Sequence, residues 1–165
     1  MERIERYTSR RDTPVMNESS PNSLFQDQLE SWARELFGDN AKESPLGGPN
    51  IRRGSSNLWV KGTAFSSGKR VFFGSMVVRS PRITHDLALL LLKKNTELEC
   101  GSLGIDDDDN IVMHHRVFGE VLRDSFRYIV NSLLSAIDDV DDEIVLLSGG
   151  LRHVDSVHSF DGEDV

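Results

Sequence analysis

Apolar positions recur along this chain with two different periods, and the switches between them predict its elements. In NSLFQDQLESWARELFGD, Phe25, Leu29, Trp32 and Leu36 fall at helical spacing, Ser23 and Gln26 have the spacing of a capping box, and Gly38 supplies a stop. Leu58 to Phe65 and Lys69 to Val78 alternate with period two around SSGK, which predicts a β-hairpin. With Ser67-Gly68 as a two-residue loop, Leu58, Val60, Ala64, Val71, Phe73 and Val77 share one face. Trp59, Lys61, Thr63, Phe72 and Met76 then share the other.

In SPRITHDLALLLLKKN, Ser80 is the expected N-cap, Pro81 the first helical residue, and Lys93 and Lys94 the last turn. Leu87 to Leu92 is apolar on almost every side, so this helix must be covered by a sheet and by something else. A second subunit is expected there, with Ile83, Leu87, Leu90 and Leu91 as the dimer interface. Leu103 and Ile105, then Ile111 and Met113, alternate on either side of an aspartate run and predict a second hairpin. Glu120 to Ile137 repeats at helical spacing. DDVDDE interrupts that pattern, and Glu143 to Leu147 continues it for a turn or two before Gly149-Gly150.

NAKESPLGGPNIRRGSSN, with its prolines and glycines, reads as a long connection with a short extended piece around Ile51. The order α-β-β-(β)-α-β-β-α is that of an α+β domain, an antiparallel sheet with helices packed mainly on one face. Residues 1–20 are polar without periodicity and are expected to be a disordered arm, 21–150 a single domain, and 151–165 an acidic disordered tail.

Composition narrows the class. A chain of 165 residues with 38% hydrophobic and 28% charged residues suits one soluble domain, and no apolar run approaches the roughly 20 residues that span a bilayer. Arg10-Arg11 leads into polar residues and Pro14 instead of an apolar segment, so a cytoplasmic location is expected. The lone Cys100 excludes an internal disulfide framework. Residues 1–82 carry 13 Lys+Arg against 9 Asp+Glu, a balance of +4. Residues 83–165 carry 6 against 18, a balance of -12, and together they give -8. The acidic half disfavours nucleic acid as the main partner, while the basic half keeps it as the alternative, through Arg52, Arg53, Lys69 and Arg70.

GIDDDDNIVMHH raises the question of a metal. Starting an EF-hand loop at Asp106 puts Ile111 at the glycine position and Val117 at the bidentate glutamate, so the run reads as a solvated turn. His114 and His115 are adjacent in a strand and face opposite ways. His153 and His158, in the acidic tail, read as solvated. No phosphate loop, dinucleotide fingerprint, nucleophile elbow, zinc-protease helix or Cys pair occurs, so no enzyme, cofactor or metal is predicted. Lys61, Arg79 and Arg82 extend the basic set around Trp59, Phe72 and Phe73, a composition that could stack bases or protect a sheet edge. The other reading of the second sheet face is a protein-binding patch of Trp59, Phe72 and Met76.

A leucine-rich helix ending in Asn95, then Glu97-Leu98, then CGSLGIDDDDNIVMHHRV and a long amphipathic helix, resembles the YbjN domain family over roughly Leu24 to Leu147. That resemblance implies the fold of type III secretion chaperones. It also implies small, acidic, usually dimeric proteins without catalysis that hold partner segments in extended form across apolar patches. It carries over architecture and no functional residue. The expectation is a non-enzymatic protein- or peptide-binding module, chaperone-like or regulatory.

Overall fold

The computed structural model describes residues 21–45 and 47–152. The expectations for residues 1–20 and for His153 and His158 lie outside these. Helix α1 (Pro21–Phe37) leads through a short 3-10 turn, Gly38–Asn40, into β1 (Ala41–Glu43) and β2 (Pro49–Arg53). Then come β3 (Ser56–Phe65), β4 (Gly68–Arg79), α2 (His85–Asn95), β5 (Ser102–Ile105), β6 (Ile111–Phe118), α3 (Arg123–Ser148) and β7 (Leu151–Arg152). The strands form one seven-stranded antiparallel sheet in the order β1-β2-β3-β4-β6-β5, and β7 also pairs with β4. Val78 has Ile111 on one side and Arg152 on the other.

One face of the sheet is the core. Ile51, Leu58, Val60, Val71, Phe73, Ile111 and Met113 are fully buried against Leu29 of α1, Leu87 of α2, and Phe126, Val130 and Leu133 of α3. The ring of Phe126 lies 5.9 Å from Phe73 below it and 5.9 Å from Trp32 beside it, so α3 joins the sheet to α1. Burying so many large side chains is the main source of stability, at roughly 25 cal/mol for each Å² of apolar surface removed from water.

Several expectations are corrected in detail. The β3–β4 turn is Ser66-Ser67, with Phe65 opposite Gly68, so the register is displaced by two residues from that set by a Ser67-Gly68 turn. A shift of two preserves every facing, and the predicted faces survive. Between β4 and β6 a bulge separates Met76 from Val78, which buries both Val77 and Val78. Helix α2 begins at His85, with Thr84 as its N-cap accepting from Leu87 N–H at 3.2 Å. Ser80 is not the cap, because its backbone is left-handed (φ 48°) and its N–H is held by Asn110 Oδ1.

Helix α3 runs 26 residues through DDVDDE without a break. Ile137, Val140 and Ile144 continue its buried stripe, and the acids between them face outward or dock the β2–β3 turn. Asp138 accepts from Ser55 and Ser56, and Asp141 accepts from Ser55 at 3.2 Å. Gly149, in the left-handed region (φ 65°), then ends the helix. The connection after α1 contains β1 as well as β2. Leu151 and Arg152, the first residues of the expected tail, form β7.

Capping-box spacing at Ser23 also belongs to a different job for Gln26. Gln26 Oε1 accepts from Gly62 N–H at 2.8 Å, and Asn22 Oδ1 accepts from Ala64 N–H. Helix α1 thereby covers the stretch of β3 that extends past β2, sealing strand donors that would otherwise invite another strand.

Candidate functional site: the outward face of the sheet

Helices α1, α2 and α3 all pack on the core side, α2 being tied to α3 by the Lys94–Glu143 ion pair at 2.9 Å. The opposite face has no helix over it among the described residues. Strand pairing sets its residues in rows. Lys61, Phe72 and Arg116 lie side by side on β3, β4 and β6; Trp59, Gly74, His114 and Ser102 form the next row; Met76, Val112 and Gly104 the third. The proposed partner-binding residues Trp59, Phe72 and Met76 therefore share this face, each half-buried.

Their arrangement is packed. Trp59 meets Phe72 edge-on, with ring centroids 5.2 Å apart at 67°, and its indole N–H donates to Gly47 O at 3.1 Å. Phe72 lies parallel to His114 at 6.5 Å, and the Arg116 guanidinium sits 5.2 Å from the Phe72 centroid. These rings close over Gly74. A Cβ there would lie 2.6 Å from Phe72 Cε1 and 3.3 Å from Trp59 Cε3, so glycine is what lets the aromatic pair lie down on the sheet. Beyond Gly74, Met76 Sδ receives the Arg79 Nε–H at 3.3 Å.

The patch is larger than sequence reasoning found. His114, Arg116 and Val112 join it only because β6 lies beside β4, a pairing between strands far apart in sequence. At one end, Phe65 and Phe118 are 51% and 74% exposed, with Arg70 between them and its guanidinium 5.1 Å from the Phe65 ring. Alternation along β3 and β6 was the available signal for both phenylalanines.

The remaining candidates divide. Phe73 points into the core. Lys69 turns toward the helices, 5.0 Å from the Phe25 ring and 3.7 Å from Glu120, and Arg53 pairs with Asp138 at 3.8 Å. Of the basic set, Arg52, Lys61, Arg70 and Arg79 face outward. In the expected dimer interface, Leu87 and Leu91 belong to this chain's own core, Leu90 is half-buried, and Ile83 is exposed. Leu89 and Leu92 are the exposed leucines of α2.

The histidines differ in environment. Burial, with the Arg116 charge as a second cause, lowers the pKa of His114 below its ordinary 6.5. Burial and the neighbouring His114 do the same for His115, whose Nδ1 accepts from Gly101 N–H at 3.1 Å. Both rings are therefore neutral at pH 7. The acidic run forms a tight turn, in which Asp106 Oδ1 accepts from the N–H groups of Asp108 (3.0 Å) and Asn110 (2.8 Å). Among the described residues no group of three or more His, Cys, Asp or Glu converges as metal ligands. A groove of about 950 Å³ between α3 and residues 97–100 contains Cys100, whose thiol pKa is pushed up by burial and by Glu99, away from nucleophilic use. No helix among the described residues is long and apolar enough to cross a membrane.

Comparison with known proteins agrees with this architecture. No curated protein matches the chain. Among solved structures, that described as the ExsC-ExsE complex is similar with a TM-score of 0.56 at 11% identity, covering 76% of this chain and 97% of the other. The HopA1-SchA chaperone-effector complex aligns with a TM-score of 0.48 at 12% identity, over 74% of this chain and 94% of the other. The Yersinia pestis type III secretion chaperone SycH, in complex with a fragment of YscM2, aligns with a TM-score of 0.43 at 17% identity, over 75% and 99%. Residues 24–156 match the family TY-Chap1, described as T3SS (YopN, CesT) and YbjN peptide-binding chaperone 1. The chain is a member of this family of peptide-binding chaperones.

Proposed function

We propose that the chain captures an extended segment of a partner protein on the outward face of its sheet, with Trp59, Phe72 and Met76 as the apolar floor. The observation that carries this is the aromatic pair lying over Gly74 on a helix-free face. An extended chain presents alternate side chains to such a floor, so its apolar residues seat between the rings while the others reach the flanking polar positions. The module works by binding, catalyses no reaction, and operates in the cytoplasm. It does so as a homodimer formed through the outer side of α2, where Leu89 and Leu92 are exposed and Leu87 and Leu91 are buried, together with Ile83 just before the helix.

The test is panning of a random peptide library against the wild type and against a Trp59→Ser, Phe72→Ser variant. Both side chains are half-buried on the surface opposite the core, so the variant should keep its circular dichroism spectrum and lose peptide capture. Equal capture by a folded variant removes the assignment.

A further inference from the structure

The charges of the described residues are segregated by face. No aspartate or glutamate occupies an outward position on any strand, whereas Lys42, Arg52, Lys61, Arg70, Arg79 and Arg116 all do. On the helix side and at the sheet edges, most basic residues meet carboxylates, Arg82 and Lys93 being exceptions among the described residues. Arg34, Arg53, Lys69, Lys94, Arg123, Arg127 and Arg152 each lie within 4.0 Å of one. None of the six outward cations has a carboxylate among the described residues at that distance. What they touch is aromatic or neutral: Arg116 over Phe72, Arg70 over Phe65, Arg79 on Met76 and Arg52 on the Gly54 carbonyl.

In a chain of net charge -8, a face holding only cations is a local field set against the overall one. Screening confines such fields to about 10 Å at ordinary ionic strength, so a bound segment experiences the outward face and not the acids of α3 behind the sheet. The rows also interleave the two chemistries. Lys61 and Arg116 flank Phe72, roughly one strand spacing of 4.8 Å to either side. Arg70 is flanked by Thr63 and the exposed Phe118.

Resting on the peptide-binding reading above, we infer that the partner of this face is an acidic extended peptide, one in which Asp or Glu alternates or intersperses with Leu, Phe or other large apolar residues. The apolar side chains seat around Trp59, Phe72 and Met76, and the carboxylates reach Lys61, Arg70 and Arg116. Guanidinium groups suit this role because the fork of Arg donates to a carboxylate in a bidentate manner while its plane stays on a ring. Single-stranded nucleic acid would seek the same charges but needs free ring faces for its bases. Here the Phe72 ring is already engaged by His114 and Arg116 of β6 and, edge-on, by Trp59, and the Trp59 N–H is held by Gly47 O.

The test uses fluorescein-labelled peptides of roughly twelve residues, long enough to cross the sheet. One alternates Glu with Leu and Phe, a second has Gln for every Glu, and a third has Lys for every Glu; a single-stranded oligonucleotide of similar length is the fourth probe. The expected order is tight binding of the Glu peptide, weaker binding of the Gln peptide and none of the Lys peptide. Replacing Lys61, Arg70 and Arg116 together by Gln should weaken the Glu peptide about tenfold and the Gln peptide far less. Rising salt should erase the difference between the two. Equal binding of the Glu and Gln peptides, lost on Trp59→Ser, Phe72→Ser, would overturn the charge assignment and keep the peptide site. Binding of peptides unaffected by either variant would remove both. Preference for the oligonucleotide, lost in the Gln variant, would replace the peptide by nucleic acid.

Discussion

Asn95 pairs with Leu103 as a strand would: its Nδ2 donates to the Leu103 carbonyl at 3.0 Å and its Oδ1 accepts the Leu103 N–H at 2.7 Å. Leu103 is on β5, the last strand in the sheet order, so one carboxamide at the end of α2 closes the middle of an open edge. Asn95→Leu leaves both backbone groups unpaired and should cost about 1–3 kcal/mol by urea denaturation. The variant should also form larger species on size exclusion that the wild type does not. A stable variant with an unchanged elution profile would show that the edge needs no cover.

Gly74 tests the patch without touching any ring. Adding a Cβ would collide with Phe72 and Trp59, not with the core, so Gly74→Ala should lift the aromatic pair and expose it. Peptide capture is expected to fall several-fold, with a stability change within about 1 kcal/mol. The Trp59 emission should shift, read in a Trp32→Phe background so that Trp59 reports alone.

Asp141 is an acid at a core position, 5% exposed, accepting from Ser55 Oγ at 3.2 Å and lying 3.4 Å from Arg152 Nε. It ties the β2–β3 turn and β7 to the same turn of α3. Asp141→Ala should cost about 2 kcal/mol, below the figure for a wholly buried pair because Arg152 is partly exposed. Faster hydrogen exchange should appear at Leu151 and Arg152, and their unchanged protection would show that β7 is held by β4 alone.

Acid should destabilise this protein in two windows. His114 and His115 have folded-state pKa values below 6.5, so the unfolded chain takes up their protons first. The stability they allow is complete above pH 6.5 and falls as pH drops below it. The Asp106 carboxyl is pushed up by burial, but hydrogen bonds from Asn110 and Asp108 outweigh this and leave it below 3.8, so its contribution holds above that pH and is lost under it. Urea midpoints between pH 7.5 and 5 should decline in the wild type. They should flatten in a His114→Gln, His115→Gln variant, and an unchanged decline would assign it to other groups.

The outer side of α2 separates association from folding. Leu92 is 64% exposed and Leu87 fully buried, on the same helix. Leu89→Lys with Leu92→Lys should leave a folded monomer near 18.5 kDa by light scattering where the wild type has twice that mass. Leu87→Ala should lose about 2–5 kcal/mol of stability. A wild type that is itself monomeric ends the dimer proposal.

Local patterns alone determined most of the elements and both sheet faces. Period two in Leu58 to Phe65 and in Lys69 to Val78 assigned Phe73 to the core and Phe72 outward, and the assignment survived a misplaced turn because a slip of two residues flips nothing. The resemblance to the YbjN family rested on Asn95, the Gly-x-Leu-x-Ile-Asp strand and an acidic turn. The structure gives two of these a physical role, since Asn95 closes the β5 edge and Asp106 organises the turn. Tertiary structure decided what depends on contacts far apart in the chain. DDVDDE stayed helical because Asp138 and Asp141 found Ser55 and Ser56 more than 80 residues away. Thr84, in extended backbone, is the cap instead of Ser80, whose backbone is left-handed where Asn110 holds its N–H. Arg116 and His114 reached Phe72 only through the β4–β6 pairing. Side-chain direction follows from the local pleat and can be read along one strand, whereas which strands lie together is set by burial summed over the whole chain, which no short window contains.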